Sequence, residues 1–465
     1  MANALSISSQ EIPFPKTRFS PEPPGPRGVP FLGSLPSLRR DPLGFFTGLS
    51  ESYGGIARFS VFQVPVWLVT DPAAAEEVLV SKARHFVKGR GLQVGRPIFG
   101  DGLLTSEGEK WRRQRKLVAP AFHHQRLAAY ERVMADFTTR FVEGLRAGET
   151  RDLHRDLMRL TLEIVAKCLF DADVSKEAKS VGDALAVAIR EFPKLLNPAR
   201  RFALLRLPFP AGLELRRSLR TLDTVIAGVI ASRKASGEDR GDLLSMLLAS
   251  RDEDGEGMPD AQVRDEVMTL FLAGHETTAL SLVWTLALLA ENPVVERRLA
   301  RELAGFSGDT HALPYLDAVV KESLRLYPPA WAVGRVAAED VAIGGFRAAK
   351  GTSVILSPWV AQRNAGFFAD PLAFRPERWQ TGEAQGLPRM AYFPFGAGPR
   401  SCIGAGFAAL ELKTILRTLL SKARFVAIPG QDLTPQPSIT LRPRGGFRVV
   451  VTAVTPALPG MPAAL

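Results

Sequence analysis

Cysteine is scarce in this chain, and that scarcity excludes one class of protein. Only two cysteines, Cys168 and Cys402, occur among 465 residues. Two cysteines cannot build a disulfide framework, and such usage is typical of a reducing compartment. Residues 1–20 also lack an apolar run long enough for a signal peptide or a membrane span. We therefore predict a cytoplasmic protein without a membrane anchor.

Nucleic-acid and nucleotide signatures are missing as well. The net charge is +11, from 59 Lys and Arg against 48 Asp and Glu, and a basic balance favours an acidic partner. However, the basic residues are scattered, with no dense tract interleaved with aromatics and no zinc-finger spacing, so we predict no nucleic-acid partner. A G-x-G-x-x-G turn between a strand and a helix is also absent, which argues against a bound nicotinamide or flavin.

What the chain does have is an unusual stretch at 391–411. It places Cys402 among four glycines, which are Gly396, Gly398, Gly404 and Gly406. Glycines allow backbone N–H groups to point at the sulfur, and a helix predicted at 407–420 adds the positive end of its dipole. Arg400 adds positive charge. The pattern predicts a thiolate that is a metal ligand or a nucleophile, and a buried structural cysteine in a Gly-rich turn is the alternative.

The motif Phe395-x-x-Gly398-x-Arg400-x-Cys402-x-Gly404 resembles the haem-ligand loop of the cytochrome P450 family. The resemblance implies that Cys402 is the axial thiolate of haem iron. It also implies haem b (iron protoporphyrin IX) as the cofactor, with Phe395, Arg400 and Gly404 contributing to its site. The implied fold is mainly α with a small β region, and the haem lies between a long central helix and the Cys402 loop.

The candidate for that central helix is residues 260–291, which would span roughly 45 Å. Its length and apolar character also suggest a membrane span, but His275 and Glu276 interrupt the run and argue against it. A zinc-protease helix would need a second His at position 279. Ala279 stands there, so the zinc interpretation fails.

The middle of this helix, 273–278, collects residues that a helix interior disfavours. Gly274 costs about 1 kcal/mol relative to Ala, and the buried carboxylate and hydroxyls need partners. A Thr hydroxyl can bond the carbonyl four residues back, and a local opening beside Gly274 would leave a groove for O2. The segment resembles the acid–alcohol pair of the P450 family. The resemblance implies that Thr277 holds water and oxygen, that Glu276 relays protons, and that Ala273 and Gly274 lie against the cofactor.

Two more motifs gain meaning from their order along the chain. Trp111-x-x-x-Arg115 alone usually marks a helix surface, but the resemblance implies that both residues bind a haem propionate, since both are hydrogen-bond donors. Arg335 is expected to reach the second propionate.

A buried structural triad is expected under the cysteine loop. Glu322-x-x-Arg325 alone is common in helices, and exposed pairs of this kind contribute under about 1 kcal/mol. The resemblance implies that Arg378 joins them. The family usually has His where Gln362 stands, and we expect little loss because Gln can both donate and accept hydrogen bonds.

The substrate pocket is predicted to be apolar. The Gly-rich stretch 88–104 is expected to be a flexible loop that closes over the substrate. Its apolar contacts and those of other elements are expected at Leu92, Val94, Phe99, Leu272, Trp331 and Val333. Terpenoids, fatty acids, steroids and polyketides all fit such a pocket, with terpenoid or fatty-acyl compounds favoured.

The expected organisation has three parts: a Pro-rich N-terminal extension at 1–30, one catalytic domain at 31–452, and a flexible tail at 453–465. The resemblance covers nearly the whole chain and implies a monooxygenase that inserts one atom of O2 into an apolar molecule. Electrons would come from a separate ferredoxin or flavodoxin with its reductase, docking near Arg112, Arg113 and Lys413. A monomer is expected. The alternatives are a peroxide-driven peroxygenase, a non-catalytic haem sensor or carrier, and a haem-free helical binding protein.

Overall fold

The computed structural model of the chain describes residues 22–251, 255–306, 308 and 310–454. Its helices are α1 (Leu35–Arg40), α2 (Pro42–Tyr53), α3 (Pro72–Glu76), α4 (Arg90–Val94), α5 (Arg96–Phe99), α6 (Gly108–Val118), α7 (His124–Glu143), α8 (Leu153–Phe170), α9 (Ala178–Leu195), α10 (Pro198–Arg206), α11 (Pro210–Ser236), α12 (Leu243–Ala249), α13 (Asp260–Glu291), α14 (Pro293–Leu303), α15 (Pro314–Leu326), α16 (Pro358–Ala361) and α17 (Ala405–Lys422). The predictions for residues 1–21 and 455–465 lie outside the described part.

The strands are short. They are β1 (Ile56–Val61), β2 (Val64–Val69), β3 (Phe86–Lys88), β4 (Thr150–Asp152), β5 (Val333–Ala337), β6 (Val341–Ile343), β7 (Phe346–Ala348), β8 (Ser353–Leu356), β9 (Ala423–Ala427), β10 (Pro435–Pro437), β11 (Leu441–Pro443) and β12 (Arg448–Val454). The largest sheet has the order β1-β2-β8-β5-β3, in which β2 and β8 are parallel and the other pairs antiparallel. The other sheets pair β4-β12-β9, β10-β11 and β6-β7.

Helix α13 is the centre of the fold, and its bounds agree with the prediction. Pro259 is the N-cap, and Asp260 lies in the first turn of the helix. The Trp284 ring stacks on Tyr327 with centroids 4.1 Å apart, and its Nε1–H donates to the Leu441 carbonyl at 3.0 Å. No single described helix is long and apolar enough for a membrane span; α13 and α14 meet the criterion only together and are bent by 112°.

The stretch 88–104 differs from the flexible loop that we predicted. It contains the last residue of β3 and the two short helices α4 and α5. A Cβ at Gly95 would lie 2.7 Å from the rings of Phe192 and Phe99. This glycine therefore permits close packing, and its presence in the sequence did not signal a mobile loop.

The Pro-containing region 192–210 also forms helical structure. The region 192–210 contains the end of α9 and all of α10, where Asn197 caps the helix by accepting from the Arg200 N–H at 3.1 Å. The predicted tail begins later than position 453, because β12 pairs with β9 as far as Val454.

Candidate active site

The Cys402 loop is closed by its own backbone. The Cys402 N–H donates to the Phe395 carbonyl at 2.9 Å. Gly398 has φ +69°, and a Cβ there would lie 1.9 Å from the Leu79 carbonyl oxygen, so no other residue type fits without a shift. Helix α17 begins three residues after Cys402, with Gly404 at its N-cap.

Cys402 is reached by solvent although protein surrounds it. Its side chain is exposed, yet burial raises the pKa of the thiol, and this effect outweighs the Gly404 N–H bond and the charge of Arg115, which oppose it. Arg400 does not act on the sulfur, since it forms an ion pair with Glu107 at 2.5 Å. A thiol in a recess of the protein fits a ligand that receives its compensating charge from a metal.

Three cations surround the Trp111 ring. Lys88 Nζ lies 5.9 Å, Arg115 Cζ 5.9 Å and Arg400 Cζ 5.3 Å from its centroid. Arg115 also donates to the Ser401 carbonyl at 3.0 Å, which ties α6 to the cysteine loop. The sequence analysis identified Trp111, Arg115 and Arg400 but not Lys88. The only local signal for Lys88 is its position in an apolar strand.

Arg335 adds a fourth cation and tests whether haem fits. It is 7% exposed, and among the described residues its guanidinium donates only to the Gly334 carbonyl, at 2.9 Å. Burial, with the neighbouring charge of Arg400, lowers its pKa to about 10, although Glu107 opposes this shift. A buried cation without an ion pair is costly, so this cluster with one carboxylate, Glu107, suits the two propionates of haem.

The expected triad is assembled. Glu322 accepts from Arg325 at 2.9 Å and from Arg378 at 3.0 Å, and all three are at most 1% exposed. Trp379 Nε1–H also donates to Glu322, at 2.9 Å. Gln362 meets its expectation: its amide donates to the carbonyls of α15's end, and its oxygen accepts from the backbone N–H of residue 393.

Helix α13 turns three residues toward open space. Ala273, Gly274 and Thr277 are exposed or half-buried, whereas 22 residues of this helix are buried. The Thr277 hydroxyl donates to the Ala273 carbonyl at 2.8 Å, as predicted. The helix is nevertheless continuous, so the expected backbone opening is not seen. A Cβ at Gly274 would lie 3.0 Å from Val165 of α8, which shows that this glycine serves helix packing.

The family model of cytochrome P450 matches residues 23–450 of the chain. This protein belongs to the cytochrome P450 family. Cyclooctatin synthase of Streptomyces melanosporofaciens is 34% identical over 438 residues, which cover 92% of this chain and 95% of the relative. Pentalenene oxygenase of Streptomyces avermitilis is 33% identical over 441 residues, covering 93% and 97%. Cyclooctat-9-en-7-ol 5-monooxygenase of Streptomyces melanosporofaciens is 34% identical over 435 residues, covering 90% and 94%.

Membership confirms the main predictions. The fold is that of a P450, mainly α with small sheets. The cofactor is haem b, and the chain is a haem-thiolate monooxygenase. P450s of this kind take electrons from redox partners and act on apolar molecules.

The structure adds two residues that the sequence did not identify. Thr440 donates to Glu276 Oε1 at 2.5 Å, and the Arg442 Nε–H donates to the same oxygen at 2.8 Å. Glu276 is 5% and Arg442 21% exposed in this pair. A contact across 166 residues leaves no signal in a single sequence.

The predicted pocket residues fall into different surroundings. Leu92 and Val94 on α4 are half-buried, and Phe99 packs against Phe192 with centroids 5.6 Å apart. Leu272 is buried in the main core. Trp331 packs on Phe46 and donates to the Ser438 carbonyl, and Val333 packs on a second cluster. The indole of Trp331 is thus held by structural contacts.

Proposed function

We propose that this P450 hydroxylates or epoxidises an apolar, cyclic terpenoid-like molecule. Three relatives that span almost the whole chain are named for cyclooctatin, pentalenene and cyclooctat-9-en-7-ol. Pentalenene and cyclooctat-9-en-7-ol are cyclic terpenoids by their chemistry. The single observation that carries the proposal is the open face of α13: Ala273 is exposed and Gly274 and Thr277 are half-buried in the otherwise buried stretch 266–289 of this helix.

Haem, when bound to Cys402, supplies the iron at which O2 is activated. We assign its propionates to the cations Arg115, Arg335 and Arg400 and to the indole N–H of Trp111, with Lys88 as an additional cation. The triad of Glu322 and its two arginines is assigned a structural role. In this assignment the protein's own task is to hold the cofactor, exclude water and deliver protons.

Proton delivery is assigned to Glu276 and Thr277. Thr440 and Arg442 occupy Glu276 Oε1, whereas Oε2 accepts no hydrogen bond from a described residue. Oε2 is therefore the atom that can take a proton from solvent and pass it toward the Thr277 hydroxyl. That hydroxyl donates to the Ala273 carbonyl, so its lone pairs stay free to accept a hydrogen bond from water.

Electrons are proposed to come from an acidic ferredoxin or flavodoxin. Arg112 and Arg113 are exposed on α6, the helix that carries Arg115 and contacts the cysteine loop. Lys413, which we expected on this face, is 8% exposed and pairs with Asp317 at 3.3 Å, so it is not part of the docking surface. Arg112→Glu with Arg113→Glu should slow reduction at low salt, and Arg347→Glu on β7 is the matched control.

The decisive first test is the absorption spectrum of the dithionite-reduced protein with carbon monoxide. A strongly red-shifted Soret band is expected, and it should be absent in Cys402→His. Terpenoid turnover is then tested with a surrogate ferredoxin system, with Thr277→Ala expected to consume electrons without forming product. A band typical of histidine or neutral ligation would refute the thiolate assignment, and full coupling in Thr277→Ala would refute the proton route.

A further inference from the structure

The segment that joins the lid helices α4 and α5 to α6, residues 100–106, is named here the lid base. It lies against the N-terminal part of α13 with no space between the backbones. A Cβ at Gly100 would lie 2.1 Å from Asp265 Oδ1, and a Cβ at Gly102 would lie 2.5 Å from the Asp265 carbonyl. Such close approach requires glycine at both positions, so the contact is built into the sequence.

Ionisable side chains hold the lid base from two sides. The Leu103 N–H donates to Glu266 Oε2 at 2.9 Å. Lys88 Nζ donates to the Leu103 carbonyl at 2.8 Å and to the Ser106 carbonyl at 2.7 Å. Next to them, the Asp101 N–H donates to Asp265 Oδ2 at 2.7 Å. The backbone N–H and the backbone carbonyl of Leu103 are therefore bound by two different elements, α13 and β3.

Glu266 and Lys88, which bind the backbone of Leu103, are both buried, and neither has a part in the proposed proton route. Glu266 is 0% and Lys88 5% exposed. Gln262 donates to the other oxygen of Glu266 at 2.8 Å. A buried carboxylate whose acceptors are filled by a loop N–H and an amide is placed to fix that loop, since opening it would leave the carboxylate without this donor.

We propose that Glu266 and Lys88 are positioning residues that latch the lid base onto α13 and thereby control access to the substrate pocket. The latch itself is independent of the proposed function, whereas its effect on access rests on it. The lid helices adjoin the latch directly, and Phe99 at the end of α5 packs on Phe192 of α9. Release of the lid base from α13 would also leave α4 and α5 without a fixed connection to α6.

The pH dependence of the latch follows from the surroundings of Glu266. Burial raises its pKa from 4.5 to about 7, although the hydrogen bonds from the Leu103 N–H and from Gln262 lower it; Asp265 on its own helix raises it, and Lys110 on α6, itself paired with Asp101, lowers it. Lys88 on β3 also faces Glu266. In an open lid base, water would restore the ordinary pKa of 4.5.

The sign follows from linkage. Because the latched state binds the Glu266 proton more tightly, latching is strongest at low pH and weakens as the pH rises through the interval between 4.5 and about 7. Between pH 5.5 and 7.5 the Glu266 contribution raises the opening equilibrium on the order of 20-fold and the Lys88 contribution lowers it on the order of 4-fold, so the net increase is on the order of 6-fold. Lys88 has a pKa that burial lowers to about 7, and it favours latching only as the pH rises above that value.

The test is hydrogen–deuterium exchange of the holoenzyme at pH 5.5 and 7.5, followed in peptides covering 100–106 and corrected for intrinsic exchange. Wild type should open more at pH 7.5 by the net factor of about 6. Glu266→Gln keeps an acceptor for Leu103 and should lose the rise in opening with pH, leaving only the smaller and opposite effect of Lys88. Asp265→Asn is the matched control, and it should retain the rise. Lys88→Met should raise opening at both pH values.

An unchanged pH dependence in Glu266→Gln, or its loss in Asp265→Asn, would overturn the latch. Access is tested separately with the association rate of a haem-coordinating azole, which should follow the same pH dependence. An association rate that ignores pH while exchange responds would overturn the access role alone. Failure of the thiolate assignment would appear in the carbon monoxide spectrum and leave the exchange result intact.

Discussion

The pair between Glu276 and Arg442 permits a quantitative prediction. Arg442→Gln removes the cation and leaves a 5% exposed carboxylate without a charge partner. Breaking a fully buried pair by removing one partner costs about 3–5 kcal/mol. Because Arg442 is 21% exposed and Thr440 still donates to Glu276, we expect a smaller loss of about 2–3 kcal/mol.

The expected change in melting temperature is small but measurable. The entropy of unfolding scales with chain length and is about 1 kcal/mol/K for a chain of 465 residues. Arg442→Gln should therefore lower Tm by about 2–3 °C. Differential scanning calorimetry at constant haem occupancy provides the measurement.

A double-mutant cycle separates the pair from simple loss of packing. Glu276→Gln with Arg442→Gln removes both charges, so the double variant should recover most of the stability that Arg442→Gln loses. Thr440→Val serves as the control, because it removes a neutral donor and leaves the ion pair. Strictly additive effects of Glu276→Gln and Arg442→Gln, or an unchanged Tm in Arg442→Gln, would refute the interpretation.

Three further predictions concern the cofactor site and the two thiols. Arg335→Gln should stabilise the apoprotein yet speed haem loss, because it removes a buried unpaired cation that the propionates need; haem transfer to an acceptor apoprotein and calorimetry of the apoprotein measure both, and Arg335→Lys should retain haem better. Glu322→Gln should cost about 3–5 kcal/mol, since two buried guanidinium groups lose their carboxylate; a normal yield of haem-loaded protein would contradict this. Removal of haem should expose one reactive thiol to a disulfide reagent at pH 8, namely Cys402, because Cys168 is buried and burial raises its pKa; titration of two thiols in the folded apoprotein would be the contrary result.

The sequence was informative where chemistry is encoded by neighbouring residues. The Cys402 loop, the Glu322–Arg325 pair and the 273–278 segment are each local patterns, and family membership confirmed the thiolate monooxygenase that they predicted. The bounds of α13 were predictable because its apolar run ends at Asn292 and a proline. These features need no knowledge of the tertiary structure.

Contacts between distant residues could not be predicted in this way. Arg442 lies 166 positions from Glu276, and Glu266 meets Leu103 across 163 positions. Lysine usually lies on the protein surface, but Lys413 is buried beside Asp317. Glycine was misleading for a related reason.

The glycines of 88–104 indicated flexibility, whereas the structure uses them for close approach between packed elements. Helix α10 was recoverable in principle, since Asn197 followed by a proline is a start signal for a helix. The four prolines in 192–210 obscured it, because prolines are also frequent in loops.

The packing of Gly274 against Val165 has a consequence for how this enzyme can change its substrate. A Cβ added at position 274 would lie 3.0 Å from a methyl group of Val165, so this side chain of α8 would have to move. Helix α13 is also fixed further along by the stacking of Trp284 on Tyr327. Evolutionary or engineered changes in specificity are therefore expected to accumulate at half-buried positions of α4, such as Leu92 and Val94, since all of this helix is described and none of its residues is buried.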